Sequence, residues 1–323
     1  MRLPARFGRA VRIGVLALAV LLLLFALRQQ GPEAYAAARD VGAAAAAGSL
    51  VAVLLGLLAS AMVWRALLAD LGTRLPLRPA LHVFFLGQLG KYVPGQVFAI
   101  AAQMELGKAH GAPRSRVGTA SLVFMGVLVS AGLLTAALVL PMSSPAALDN
   151  YAWVLVLLPF ALVVLAPPVL TRVVALLLRL LRRDPLERPL SWRGTGAALG
   201  WALVMWAAYG LHLWLLVRTQ PTAAGPDLLL LSVGAYALAW TAGFLFVVAP
   251  AGAGVRELAL VVSLAPVLDR GPALALAVLS RVLMTLGDLV WGAVGGALRG
   301  SGQDGAGVTS VTAVKRLGKV ADA

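Results

Sequence analysis

The chain has 323 residues, of which 61% are hydrophobic and only 12% are charged, and its mean hydropathy is +0.91. These values exclude an ordinary soluble domain, which is about half apolar and a quarter charged, and a disordered chain, which requires low hydrophobicity. The formal net charge of +14 would indicate a nucleic-acid partner on a soluble protein, but the long apolar runs favour a membrane explanation, and we expect no nucleic acid.

Six apolar segments reach or approach the length of about 20 residues that crosses a bilayer core as a helix. They are residues 10–27, 41–64, 117–140, 151–170, 195–217 and 273–296. Two further apolar stretches, 80–106 and 228–268, are interrupted by proline and glycine, which should unwind a helix. We predict that each forms a re-entrant hairpin of two half-helices. Because 228–248 could cross the membrane alone, an alternative count of eight spans stays open.

Lysine and arginine are distributed unevenly between the two predicted sides of the membrane. With a cytoplasmic N-terminus and six spans, 20 of the 27 basic residues fall on the cytoplasmic side and 4 on the outer side. Lys91, Arg256 and Arg281 remain at membrane depth. This bias predicts a multi-pass protein of the cell membrane with both termini in the cytoplasm.

The predicted spans divide into two similar halves, about 10–140 and 151–296, each with the order span, span, hairpin, span. Three crossings per half make the second half inverted relative to the first, an arrangement typical of transporters. We therefore expect an all-α fold with one transmembrane domain over 1–298, followed by a flexible cytoplasmic tail over 299–323.

The first break contains a lysine that would lie a half-helix deep in the membrane. It comprises Lys91, Tyr92, Pro94, Gly95 and Gln96. A lysine at the centre of a helix in a bilayer costs about 2.5–3.5 kcal/mol, so a carboxylate or an anionic ligand must compensate it. The half-helix from Gln96 would direct free N–H groups into the membrane. The hypothesis is an anion-binding tip; the alternative is a lysine that extends to the cytoplasmic surface.

The second break has the same features. It includes Pro250, Gly252 and Gly254, followed at once by Arg256 and Glu257. Arg256 offers a forked donor that matches a phosphate. Glu257 either takes part in the site or simply stabilises the first turn of its helix. Because they are adjacent, Arg256 and Glu257 should point to different sides and not pair.

Polar residues also occur within two predicted spans. Arg281, Thr285 and Asp288 form one stripe in the last span, and each should face a partner elsewhere, such as Glu257 for Arg281; a structural ion pair is the favoured role of Asp288. His212, near Tyr209, is more simply a satisfied core histidine than a proton relay. The glycine pairs 196/200 and 292/296 predict close helix contacts.

No catalytic constellation is recognisable, and we expect neither an enzyme nor a bound metal or cofactor. The chain has no cysteine, which excludes thiolate catalysis and cysteine zinc sites. The three histidines are scattered, and the chain has no phosphate loop of the kind that binds ATP.

Two motifs, in order, carry a resemblance to a known family. They are Gly90-Lys91-Tyr92-Val93-Pro94-Gly95 and Pro250-Ala251-Gly252-Ala253-Gly254-Val255-Arg256-Glu257, with Arg281 in the last span. The chain resembles the lysylphosphatidylglycerol synthase transmembrane-region family, also called flippase-like, from about residue 10 to 298. It departs from the family at Ala251, where glycine is usual.

The resemblance implies a domain that moves lipids between leaflets, without the soluble aminoacyltransferase domain of the bifunctional synthases. It implies that Lys91, Arg256, Glu257 and Arg281 are the functional charges. The expected substrate is a lipid with an anionic head group, either a phospholipid or a polyprenyl-phosphate-linked sugar. The alternative is a non-transporting accessory that presents a lipid carrier to a membrane glycosyltransferase.

Overall fold

The computed structural model describes residues 39–92, 97–143, 155–180, 186–223, 225, 227–246 and 254–298. All regular secondary structure in these ranges is helical. The α-helices are α1 (Ala43–Asp70), α2 (Leu77–Gln88), α3 (Val97–Lys108), α4 (Arg114–Val139), α5 (Leu157–Leu165), α6 (Pro167–Leu180), α7 (Trp192–Val217), α8 (Leu228–Leu245), α9 (Val255–Leu264) and α10 (Arg270–Ala297). A 3₁₀ turn over Leu89–Tyr92 continues α2.

Within the described part of the chain, five helices are long and apolar enough to cross a membrane: α1, α4, α7, α8 and α10. Four of them match the spans predicted at 41–64, 117–140, 195–217 and 273–296. The fifth, α8, has 18 residues and corresponds to the part of the second interrupted stretch that could cross alone. The span predicted at 10–27 lies outside the described residues.

The segment predicted as one span over 151–170 is instead a bent pair of helices. Helix α5 ends at Leu165, and α6 leaves it at an angle of 79°. The residue between them, Ala166, is extended (φ −63°, ψ 124°), because a residue before proline avoids the helical region and Pro167 follows it. With nine residues, α5 is only about 13 Å long, too short to span alone. The apolar run therefore predicted a membrane segment but not its shape.

The two halves of the first interrupted stretch fold back on each other. Helices α2 and α3 have 12 residues each, or about 18 Å, and they run antiparallel, since Gly87 packs on Gln103 and Gly90 on Ala99. A Cβ at Gly90 would lie 2.8 Å from the Ala99 Cα, so only glycine permits this approach. This antiparallel pair agrees with the predicted hairpin.

Small residues let the long helices approach closely, as is common in membrane proteins. Gly56 of α1 packs on the Tyr209 ring of α7, and Gly210 of α7 packs on Val233 of α8. The predicted contact at glycines 196 and 200 is not seen among the described residues, since none of their atoms lies within 4 Å of a Cβ built at either glycine. Of the pair at 292 and 296, only Gly292 touches a neighbour, Leu89.

Candidate functional site

The tip of the first hairpin contacts α10 through an ion pair. Lys91 Nζ lies 2.8 Å from Asp288 Oδ1 and 2.7 Å from Asp288 Oδ2. The Tyr92 hydroxyl donates to Asp288 Oδ2 at 2.6 Å. Asp288 is 6% exposed, and the Lys91 side chain is 32% exposed. The sequence predicted that either a carboxylate or an anionic ligand offsets the charge of Lys91. The structure contains the carboxylate, Asp288.

Helix α9 is tied to α10 by a second ion pair. Arg281 donates from Nη1 to Glu257 Oε1 at 2.5 Å, and this is the partner that the sequence predicted for Arg281. The other oxygen of Glu257 accepts the Gly254 N–H at 2.6 Å. Gly254 has a φ of +85°, a left-handed conformation that glycine adopts without strain. Glu257 thus satisfies a free N–H at the start of α9 and pairs with Arg281 at the same time.

Arg256 has a tyrosine as its partner. Its guanidinium donates a hydrogen bond to the Tyr236 hydroxyl of α8 and lies 4.8 Å from the centre of that ring. Tyr236 is fully buried, and its ring centre lies 5.4 Å from that of Tyr209. Within the described residues no carboxylate forms an ion pair with Arg256, in agreement with the prediction that Glu257 would not. Sequence reasoning missed Tyr236, because nothing in an apolar helix marks which side chain will face a residue 20 positions later.

These contacts bring five charged side chains from three parts of the fold into one place. Lys91, Arg256 and Arg281 supply three positive charges, and Glu257 and Asp288 supply two negative charges; we call these five residues the charge cluster. Its members act on one another, since Arg256 interacts electrostatically with Arg281 and Glu257 as well as with Tyr92. Within the cluster the balance is one positive charge in excess, and Arg256 is the member without an oppositely charged partner of its own.

The remaining tip residues are described only in part. Pro94, Gly95, Gln96, Pro250 and Gly252 lie outside the described residues, so the geometry of the two loops around them stays a prediction. Gly254 is the described member of the second tip. Tyr92 is described and belongs to the contact with Asp288.

Two polar side chains of the membrane interior serve packing. His212 lies between two hydroxyls, with Nδ1 2.6 Å from Ser49 Oγ and Nε2 2.8 Å from Ser280 Oγ. It is therefore a satisfied core histidine, the simpler of the two expected roles. Gln103 accepts a hydrogen bond from Ser121 Oγ at 2.6 Å and joins α3 to α4.

The described residues contain no group of three His, Asp or Glu side chains that could hold a metal ion. They do contain a polar pocket of about 180 Å³ between α4 and the segment before α7, lined by Leu71, Ser115, Arg116, Thr119, Leu186, Glu187 and Arg188. Sequence reasoning did not anticipate it, because its residues are distant along the chain.

Comparison with known proteins supports a single family. The model of the family described as Lysylphosphatidylglycerol synthase TM region matches residues 11–292, which include the whole charge cluster. A search of curated proteins found no match to the chain. With five to six apolar helices of sufficient length and this match over most of its residues, the chain is a multi-pass membrane protein and belongs to the lysylphosphatidylglycerol synthase transmembrane-region family.

Proposed function

We propose that the protein is a flippase-like lipid transporter that moves a lipid with an anionic head group between the two leaflets. The family relates the chain to lipid handling, and the excess positive charge of the cluster supports an anionic substrate. The observation that carries the proposal is Arg256, whose described partner, the Tyr236 hydroxyl, is neutral. A forked guanidinium that is not neutralised at membrane depth is suited to a phosphate.

The two ion pairs suggest how the site accommodates the head group. A phosphate that approaches Arg256 would compete with Asp288 for Lys91 and with Glu257 for Arg281, because a phosphate and a carboxylate accept hydrogen bonds from the same charged donors. Exchange of these partners would loosen the contacts that join the first hairpin and α9 to α10. Binding of the head group would then be coupled to weaker contacts of the first hairpin and α9 with α10.

In the proposed cycle the two inverted halves move against each other around the cluster, which gives alternating access. The acyl chains remain in the bilayer or in a groove while the head group crosses. The substrate is a phospholipid or a polyprenyl-phosphate-linked sugar, and the protein carries out no covalent chemistry. Both termini are proposed to be cytoplasmic, with the hairpins entering from opposite sides.

The experiment is lipid translocation in proteoliposomes with fluorescent anionic and zwitterionic phospholipids, comparing the unmodified protein with Arg256→Gln. We expect the variant to lose at least about tenfold in the rate for the anionic lipid, since a bidentate charged contact is worth about 1.5–3 kcal/mol. Arg218→Gln is the matched control: Arg218 also stacks on an aromatic ring, that of Trp214 at 4.6 Å, but lies outside the cluster.

Equal rates for Arg256→Gln and Arg218→Gln would overturn the proposed site. A protein that binds anionic lipid but does not translocate it would overturn the transporter and support the accessory that presents a lipid carrier. All variants are compared only if they elute as one symmetric peak in gel filtration, so that loss of fold is distinguished from loss of binding.

A further inference from the structure

Helix α6 turns sharply away from the helix that precedes it. It leaves α5 at 79°, directly after the extended Ala166, and its 14 residues give it a length of about 21 Å. A helix that turns this sharply from its neighbour either crosses the bilayer at a strong tilt or lies along its surface. The distribution of side chains around α6 distinguishes these two orientations.

The helix has three distinct sides at helical spacing. One side is buried against the bundle and consists of Pro167, Leu170, Val174 and Leu178. A second side is apolar but exposed, with Val173, Leu176, Leu177 and Leu180 each at least 41% exposed. The third side carries Arg172 and Arg179, which are both exposed. Exposed leucines beside exposed arginines on one helix are typical of a helix that lies in a membrane interface.

Thr171, at the border of the buried side, contacts a segment at the end of the bundle. Thr171 Oγ1 accepts the Leu190 N–H at 3.2 Å. One residue later, Ser191 is bound to Asp70, the last residue of α1, through its N–H at 2.9 Å. Asp70 ends a candidate span, so the segment around Leu190 lies at a membrane boundary. Thr171 therefore lies near that boundary as well.

The two arginines then restrict the tilt of the helix. Arg172 and Arg179 are seven residues apart, or about 10 Å along the helix axis. An upright helix would place one of them about 10 Å deeper in the hydrocarbon, where an exposed arginine costs several kcal/mol. A helix that lies in the plane of the interface keeps both arginines at the head groups and the exposed leucines in the acyl region.

We propose that α6 is an interfacial helix that lies flat on the membrane side of residues 186–191 and binds anionic head groups of the bilayer through Arg172 and Arg179. Each arginine near an anionic surface contributes about 1 kcal/mol to this attraction. The proposal concerns bulk lipids at the rim of the protein, and it holds whether or not the charge cluster transports a lipid.

The orientation is tested by spin labels, because the chain has no native cysteine and each label site is unique. Single cysteines at Val169, Val173 and Leu180 carry a nitroxide in nanodiscs, and collision with oxygen and with a nickel complex gives the depth of each label. A flat helix predicts depths that agree within about 5 Å. A steady change of about 16 Å over these 11 steps, which a spanning helix requires, would overturn the proposal.

Binding of anionic head groups is tested with a label at Leu176. In nanodiscs with 30% anionic lipid we expect the label at Leu176 to be deeper and less mobile than in purely zwitterionic nanodiscs. We expect the double variant Arg172→Gln/Arg179→Gln to abolish this difference. The control Arg39→Gln/Arg270→Gln removes the same charge from two exposed arginines on other segments and should preserve it. Loss of the difference in the control, or its persistence in the α6 variant, would show that these arginines do not bind the lipid.

Discussion

Asp288 binds two residues of the first hairpin tip, Lys91 and Tyr92. Because it is buried, its carboxylate would be costly without these donors, and Lys91 would be costly without the carboxylate. The pair thus holds the tip of a short hairpin against a long helix. The structural role favoured for Asp288 agrees with this contact, whereas Lys91 has both a structural contact and a proposed role in binding.

Removal of both partners should destabilise the protein by less than the sum of the two single removals. We expect Asp288→Asn and Lys91→Met each to lower the free energy of unfolding by about 1–3 kcal/mol, since each leaves one group of a partly buried pair without its counterpart. The double variant should cost less than the sum of the single variants. Thermal unfolding followed by intrinsic tryptophan fluorescence measures this, and strictly additive effects would show that the two residues do not interact.

At the scale of elements, close approach of helices determines which glycines are needed. Gly210 of α7 lies against the backbone of α8, where a Cβ would come within 2.5 Å of the Val233 Cα. Gly200, ten residues earlier on the same helix, has open space around it. Both glycines lie among apolar residues in the sequence, which does not show which of them must be small. Only the packing of α7 on α8 shows that Gly210 must be.

Alanine substitutions at these two positions of α7 should therefore have opposite effects. Gly210→Ala must separate α7 from α8, and we expect a loss of about 1–3 kcal/mol in stability, the usual cost of overpacking. Gly200→Ala should be neutral or stabilise by up to about 1 kcal/mol, because alanine favours the helix. The midpoint of thermal unfolding in detergent compares the two directly; similar shifts for both would contradict the packing of α7 on α8.

At the scale of the whole molecule, the uneven distribution of basic residues predicts which loops share a side. The end of α3, at Lys108, belongs to the strongly basic side, and the turn after α7, which contains Thr222, belongs to the other side. Both positions are exposed in the structure. The orientation of the bundle is therefore accessible to a chemical label from outside the membrane.

We expect a membrane-impermeant maleimide to label Thr222→Cys in intact cells and Lys108→Cys only after the membrane is permeabilised. Each variant has a single thiol, because the chain has no other cysteine. Labelling of both in lysed cells is the control for reactivity. Labelling of Lys108→Cys in intact cells would reverse the predicted orientation. Labelling of both would contradict a crossing by α7, which begins near Arg116 and hence at the end of the bundle where α3 ends.

The sequence by itself determined the class of the protein, since runs of apolar residues exclude water-soluble folds and the spacing of Pro and Gly locates the breaks. It also determined the charged residues of the candidate site, because an ionised side chain within an apolar segment has few explanations. The tertiary structure decided their partners, which are Asp288 for Lys91 and Tyr236 for Arg256. It also decided the 79° turn between α5 and α6. The physical reason is that hydrophobicity and backbone preference are local properties of the chain. Partner choice instead depends on which helix faces approach, and that depends on the packing of residues as much as 237 positions apart.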